Sequence, residues 1–145
     1  MTRTIPAALY DEVGALVTDI AQPDARPLDN VDKTRASNAF AKLLALFKRR
    51  ELSGESDPFL TETLADFTDD KSEAIRLYNL ALHQCAAFPG EATICKRIGL
   101  ARALIESGRT IDARTEIAIA RREAFAERDS EALEELEELA DSCRT

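Results

Sequence analysis

Apolar residues recur every three or four positions along most of the chain, which is the spacing of amphipathic helices. The first such segment is predicted to end before Pro23, and residues 21–31 are predicted to form a loop. The second segment is predicted to begin with Asp32 as its N-cap and to end at the basic run 48–50, before a turn-forming stretch at 53–58. The predicted inward positions of these two helices are Ile5, Leu9, Val13, Leu16, Val17 and Ile20, then Ala36, Phe40, Leu43, Leu44 and Phe47.

Five further helices are predicted in the rest of the chain, and no segment needs to be a strand. A short helix after Pro58 is followed by one that starts at Asp70, where Glu73 completes an aspartate version of the capping box. The last three are predicted over about 91–107, 111–127 and 130–142. The sequence therefore predicts an all-α protein of about seven helices in one domain, 1–145, with N-terminal helices over 1–56 and a second part over 57–143.

Two of these helices share a small–large–small series. In each, an alanine is followed at +4 by a large residue and at +7 by another alanine: Ala74, Tyr78 and Ala81, then Ala113, Ile117 and Ala120. The series resembles the second helix of the tetratricopeptide repeat, a helix-turn-helix unit. Leu100 and Ala101 match the large–small pair of that unit's first helix, and Gly108 matches its turn.

The resemblance is good over about 91–124, fair over 70–89 and absent before 57. Ala74 and Ala113 lie 39 residues apart, whereas the family's repeat has 34, and the extra residues fall around Pro89 and Gly90. An unrelated helical bundle, which also needs small residues where helices cross, is the alternative. The resemblance implies helical hairpins stacked in a short tetratricopeptide-like superhelix, with the polar-faced last helix as a cap.

The resemblance also implies that the protein binds another protein through one face of the helix at 91–107. The ligand-facing positions would be Cys95, Ile98, Arg102, Ile105 and Glu106, while Leu100, Ala101 and Leu104 would be packing positions. The alternative is that the N-terminal helices cover Ile98 and Ile105, because residues 1–50 must bury their own apolar stripes.

The net charge of −8 is concentrated at the C-terminal end. Residues 129–145 hold seven acidic residues and one basic residue, a net −6, so the rest of the chain carries only −2. This balance argues against a nucleic-acid partner and is compatible with a basic protein. One helix face carries an acidic row that is either a solvated surface or a docking face for such a protein: Glu131, Glu134, Glu135 and Glu138.

The sequence offers little for catalysis, cofactors or metals. The only histidine, His83, has no second histidine to share a metal, and the five glycines are isolated, so no phosphate-binding loop is predicted. Three cysteines on apolar helix faces, Cys85, Cys95 and Cys143, are interpreted as reduced core residues of a cytoplasmic protein. Neither a membrane span nor a secretory signal is predicted, and neither an enzyme nor a cofactor is expected.

The sequence therefore favours a protein that acts by binding another protein. One hypothesis is an inhibitor, such as the immunity protein of a basic bacterial toxin. The alternative is a small acidic chaperone or adaptor for a secreted protein, and a small helical enzyme or ligand-binding bundle is a third class. Size, charge and fold class suggest these roles only by analogy. The partner's identity and the oligomeric state stay open.

Overall fold

The computed structural model describes residues 2–21 and 29–144. Over these residues the chain forms seven α-helices and no strand, so the predicted all-α fold is confirmed. Within the same residues, no helix combines the length and apolar character that a membrane span requires. The helices are α1 Ala7–Ala21, α2 Asn30–Leu52, α3 Pro58–Asp66, α4 Lys71–Gln84, α5 Ile94–Glu106, α6 Thr110–Ala126 and α7 Ser130–Ser142, with a 3₁₀ turn at Cys85–Ala87 after α4.

The start of α2 differs from the prediction. Asp29 is the N-cap, and Asp32 lies one turn inside the helix as the third residue of a reciprocal capping box. The Asp32 amide donates to Asp29 Oδ1 at 2.8 Å, and the Asp29 amide donates to Asp32 Oδ2 at 3.4 Å. Either aspartate could cap a helix on local chemistry, but only Asp29 has an acid three residues later to complete the box. Of the predicted loop, residues 22–28 lie outside the described part, and Ala21, Asn30 and Val31 are helical.

The start of α4 follows the prediction in part. Asp70 caps the helix by accepting from the amides of Ser72 and Glu73. The Glu73 carboxylate does not complete the box, because it pairs with Arg76 one turn further on. The helix start at Asp70 was therefore predicted correctly, but Glu73 forms an ion pair with Arg76 instead of capping the helix.

The helices form stacked antiparallel hairpins. α1 packs on α2, α3 on α4 and α5 on α6, and successive hairpins meet through α2 with α3 and α4 with α5. The last helix, α7, packs on both α6 and α5. As a result α5 lies between three neighbours, and eight of its residues are buried: Ile94, Lys96, Ile98, Gly99, Leu100, Ala101, Ala103 and Leu104.

Small residues are packed in the core. Ala81, Ala113 and Ala120 have no exposed surface and Ala74 is 3% exposed, so all four alanines of the small–large–small series are buried. Gly99 on α5 marks a close contact between two helices, because a Cβ built there would lie 2.5 Å from Cε1 and Cζ of Tyr78 on α4. Glycine at this position therefore lets the tyrosine ring lie directly against the backbone of α5.

Candidate functional site

The ligand-facing positions expected on α5 divide into an exposed row and a covered edge. Cys95, Arg102 and Glu106 are exposed, and their spacing of seven and four residues places them on one face of the helix. Ile98 is buried and Ile105 is half-buried. Ile98 lines a crevice with residues of α7, so α7 rather than the N-terminal hairpin borders this edge of α5.

Two cavities flank the exposed row. One, of about 320 Å³, lies between α3, α4 and α5 and is lined by Asp66, Lys71, Tyr78, Arg102 and Glu106, among others. The other, of about 220 Å³, lies between α5 and α7 and is lined by Cys95, Ile98, Glu131, Ala132 and Glu135, among others. Arg102 lines the first cavity and pairs with Glu135 in the second, so the cavities adjoin. We call the two cavities and the row between them the α5 groove.

The α5 groove is acidic. Its two cavities are lined by six carboxylates and two cations: Asp66, Glu106, Glu127, Asp129, Glu131 and Glu135 against Lys71 and Arg102. Both cations already have partners, since Lys71 Nζ lies 2.7 Å from Glu106 Oε2 and Arg102 pairs with Glu135. Among the described residues, Asp66 and Glu131 form no ion pair, so each cavity presents a carboxylate to an incoming cation.

Asp66 is held in place by Tyr78. The Tyr78 hydroxyl donates to Asp66 Oδ1 at 2.5 Å, and the tyrosine ring is fixed against Gly99. Although Asp66 lies at the exposed rim of its cavity, desolvation by the cavity wall raises its pKa to about 6, against the opposing effect of the Tyr78 hydrogen bond. The negative charge of Glu62 adds to the increase. Burial also raises the pKa of Tyr78, so its hydroxyl stays protonated and remains a donor.

Half of the predicted acidic row on α7 lines the α5 groove. Glu131 and Glu135 are part of the lining, whereas Glu134 and Glu138 are exposed and do not line either cavity. Glu137, which was not part of the predicted row, pairs with Arg121 of α6 at 3.0 Å. Two residues of the predicted row, Glu131 and Glu135, therefore belong to the lining of the groove.

A buried ion cluster lies beneath the groove. The Lys96 side chain on α5 is 1% exposed, and its ammonium contacts Glu62 Oε1 at 2.9 Å, Glu91 Oε2 at 3.5 Å and the Ala92 carbonyl at 2.8 Å. These three acceptors match the three donors of an ammonium group. Burial alone lowers the pKa of Lys96, but the hydrogen bond and charge of Glu62 outweigh this effect and raise it. Lys96 is therefore a fixed cation and does not supply a neutral amine for nucleophilic chemistry.

The cluster extends to the N-terminal hairpin through Tyr10, whose hydroxyl donates to Glu91 Oε1 at 3.0 Å. The same end of the chain makes a second contact, because the Arg3 amide donates to the Ala87 carbonyl at 2.8 Å. Lys96 was not predicted from the sequence, although one signal was present. Lys96 and Arg97 lie between the apolar positions Ile94 and Ile98 of a helix that is apolar on more than half of its circumference.

The cysteines differ in environment, and one expectation was wrong. Cys143 is buried and Cys85 is half-buried, but Cys95 is exposed and is not a core residue. All three are free. The Cys95 thiol points towards the Ala92 carbonyl at 3.7 Å, and partial desolvation together with the charge of Glu62 raises its pKa to about 12. A thiol with that pKa is a weak nucleophile at neutral pH.

Over residues 2–21 and 29–144, no group of three or more His, Cys, Asp or Glu side chains is placed to hold a metal ion. His83 is exposed on α4, away from the α5 groove. Comparisons with protein-family models, curated protein sequences and solved structures find no match to this chain. Its function therefore has to be inferred from the chemistry of the α5 groove.

Proposed function

We propose that this protein binds another protein and that the α5 groove receives a basic segment of that partner. The observation that carries the proposal is the arrangement of charge in the groove. Two adjoining cavities hold six carboxylates, and the two cations among them are already paired. An incoming arginine or lysine would therefore meet carboxylates in both cavities, while an acidic segment would meet a surplus of like charge.

Each cavity suits one long basic side chain. Asp66 stands at the rim of the larger cavity and Glu131 at the smaller one, so two basic residues of an extended segment would each find an acceptor. The apolar lining from Ile98 and Ala132 would contact the aliphatic part of the side chain in the smaller cavity. The ion pairs already in the groove are exposed and weak, so a partner arginine can replace one of them at little cost.

We propose further that binding inhibits the partner, as an immunity protein does with a basic toxin. A toxin that acts on nucleic acid needs a basic surface, and a small acidic protein that covers this surface would block it without chemistry of its own. The net charge of −8 would also speed the encounter with such a partner.

The groove is tested with a fluorescent arginine-rich peptide and with a control peptide that has glutamine in place of arginine. The variant Asp66→Asn/Glu131→Gln removes two charges from the groove, and Glu134→Gln/Glu138→Gln removes two from the outer face of α7. We expect the groove variant to weaken binding of the basic peptide about tenfold or more, and the outer-face variant to change it by less than about threefold. Equal losses in both variants would show only general attraction to negative charge and would contradict the groove as the site.

The inhibitory role is tested by co-expression with the products of neighbouring genes, followed by purification of the complex. A partner with a basic surface that loses its activity in the complex, and that the groove variant no longer retains, would support inhibition. A partner that keeps its activity in the complex would instead support a chaperone. An acidic partner, or one retained equally by both variants, would overturn the proposed role of the groove.

A further inference from the structure

A second groove runs along the N-terminal hairpin. Two cavities of about 510 and 400 Å³ lie between α1 and α2, and both are lined by Leu16, Asp19 and Lys42. They are therefore parts of one continuous groove, which we call the hairpin groove. It is larger than the α5 groove, and the buried residues Val13, Leu43 and Phe47 are not part of its lining.

The floor of the hairpin groove is apolar and built from small residues. Ala15 and Ala45 are exposed there, Leu16 is half-buried, and Ala39 and Leu46 are buried. At the far end of the groove Val31 keeps 65% of its surface exposed. Small residues on both helices would allow another pair of helices to approach closely.

The two edges of the hairpin groove carry opposite charges in matching positions. The α1 edge is acidic, with Glu12 and Asp19 seven residues apart, and the α2 edge is basic, with Arg35, Lys42 and Arg49 also seven apart. Glu12 Oε1 and Arg49 Nη2 lie 3.9 Å apart, so these two residues are at the same level of the antiparallel pair. Asp19 and Lys42, one heptad further along each helix, therefore share the next level.

We propose that the hairpin groove binds the hairpin groove of a second copy of this chain, which gives an antiparallel four-helix bundle around a twofold axis parallel to the helices. This axis places α1 of each copy over α2 of the other, in antiparallel orientation. Rotation about this axis does not shift a residue along the helix direction. Glu12 of one copy therefore meets Arg49 of the second, and Asp19 meets Lys42. A twofold axis perpendicular to the helices would instead place α1 over α1 and α2 over α2, with like charges opposed.

Charge also favours an occupant that itself has an acidic and a basic edge. A basic segment would face the three cations of the α2 edge, and a nucleic acid or an acidic segment would face the two carboxylates of the α1 edge. A surface with an acidic and a basic edge on either side of an apolar floor is complementary to itself, as an isologous interface requires. The dimer should be weak, because α1 is only about 22 Å long, and a contact of that length across two helices about 20 Å wide together would bury roughly 900 Å² in total.

The proposal is tested by sedimentation velocity of the full-length chain over about 1–200 μM, a range that covers micromolar dissociation constants. We expect reversible dimers in the parent protein. Arg49→Glu makes both edges acidic and should weaken dimerisation about tenfold or more. The double variant Glu12→Arg/Arg49→Glu exchanges the two charges and should restore it. Both side chains are largely exposed, at 55% and 70%, so these changes should leave the fold intact, which circular dichroism will check.

Arg122→Glu makes the same charge change on the exposed face of α6 and is the matched control, which should dimerise like the parent. A parent protein that is monomeric at every concentration would overturn the proposal. So would a folded double variant that dimerises as weakly as Arg49→Glu, since recovery on charge exchange is what the self-complementary arrangement requires.

Discussion

Replacing Gly99 by alanine should destabilise this protein, although alanine is the better helix former. The added methyl group would lie 2.5 Å from two ring carbons of Tyr78 and 2.8 Å from its hydroxyl oxygen. The ring has little room to move, because Tyr78 is 6% exposed and its hydroxyl is bonded to Asp66. Either the ring must leave its position or α4 and α5 must move apart.

Two opposing effects set the size of the change. Glycine to alanine inside a helix stabilises by up to about 1 kcal/mol. Forcing an extra methyl into a packed contact costs about 1–3 kcal/mol. At 2.5 Å the contact is well inside van der Waals distance, so the upper part of that range applies and the net destabilisation should be about 1–2 kcal/mol. For a domain of this size, the thermal midpoint should then fall by roughly 3–8 °C.

The chain supplies a matched control in Gly14, inside α1. A Cβ built on Gly14 has no atom within 4 Å, so Gly14→Ala should gain helix propensity without a clash and stabilise by about 0.5–1 kcal/mol. Urea unfolding followed by circular dichroism measures both variants. The two substitutions should therefore act in opposite directions. If Gly99→Ala stabilises the protein as Gly14→Ala does, the contact between Tyr78 and α5 is wrong.

Three further substitutions test other parts of the packing. Ala113→Leu should destabilise by about 1–3 kcal/mol in urea unfolding, because Ala113 has no exposed surface, whereas Ala118→Leu on the exposed face of the same helix should have little effect. Lys96→Met leaves two carboxylates without their buried cation and should cost about 3–5 kcal/mol, while Lys71→Met in an exposed pair should cost less than about 1 kcal/mol. Because the pKa of Asp66 rises from about 3.9 in an unfolded chain to about 6 on folding, folding takes up a proton and stability should fall as the pH rises between these values. Asp66→Asn should remove this part of the pH dependence. A pKa below about 4 for the Asp66 carboxyl of the folded parent protein, measured by NMR, would contradict the prediction.

The local parts of the fold could be predicted from the sequence. Each helix was found because its apolar residues repeat at the helical period, which depends only on near neighbours. The boundaries were less secure, because neighbouring residues such as Asp29 and Asp32 have the same capping chemistry and only the reciprocal bond distinguishes them. Ala113 and Ala120, the alanines of the second small–large–small series, are fully buried.

The candidate site was predictable only as separate pieces. The α5 positions and the acidic row were both identified, but their shared cavity depends on how α7 crosses α5, which no local pattern determines. Asp66 was missed because its role depends on Tyr78, a residue twelve positions away on another helix. Gly99 and Lys96 were missed for the same reason, since a close approach and a buried cation are properties of the packed helices.

The Lys96 cluster bears on how cooperatively this chain unfolds. In stacked hairpins each unit contacts mainly its neighbours, so parts of a stack can open separately. Lys96 on α5 is bonded to Glu62 on α3 and to Glu91, which also accepts from Tyr10 on α1. Opening α3 or α5 alone would leave a buried charge without its partner, so these two helices are expected to open together, with α1 coupled to them more weakly. Their amide hydrogens should then exchange with one common free energy of opening, while α7, which lies outside the cluster, exchanges more readily.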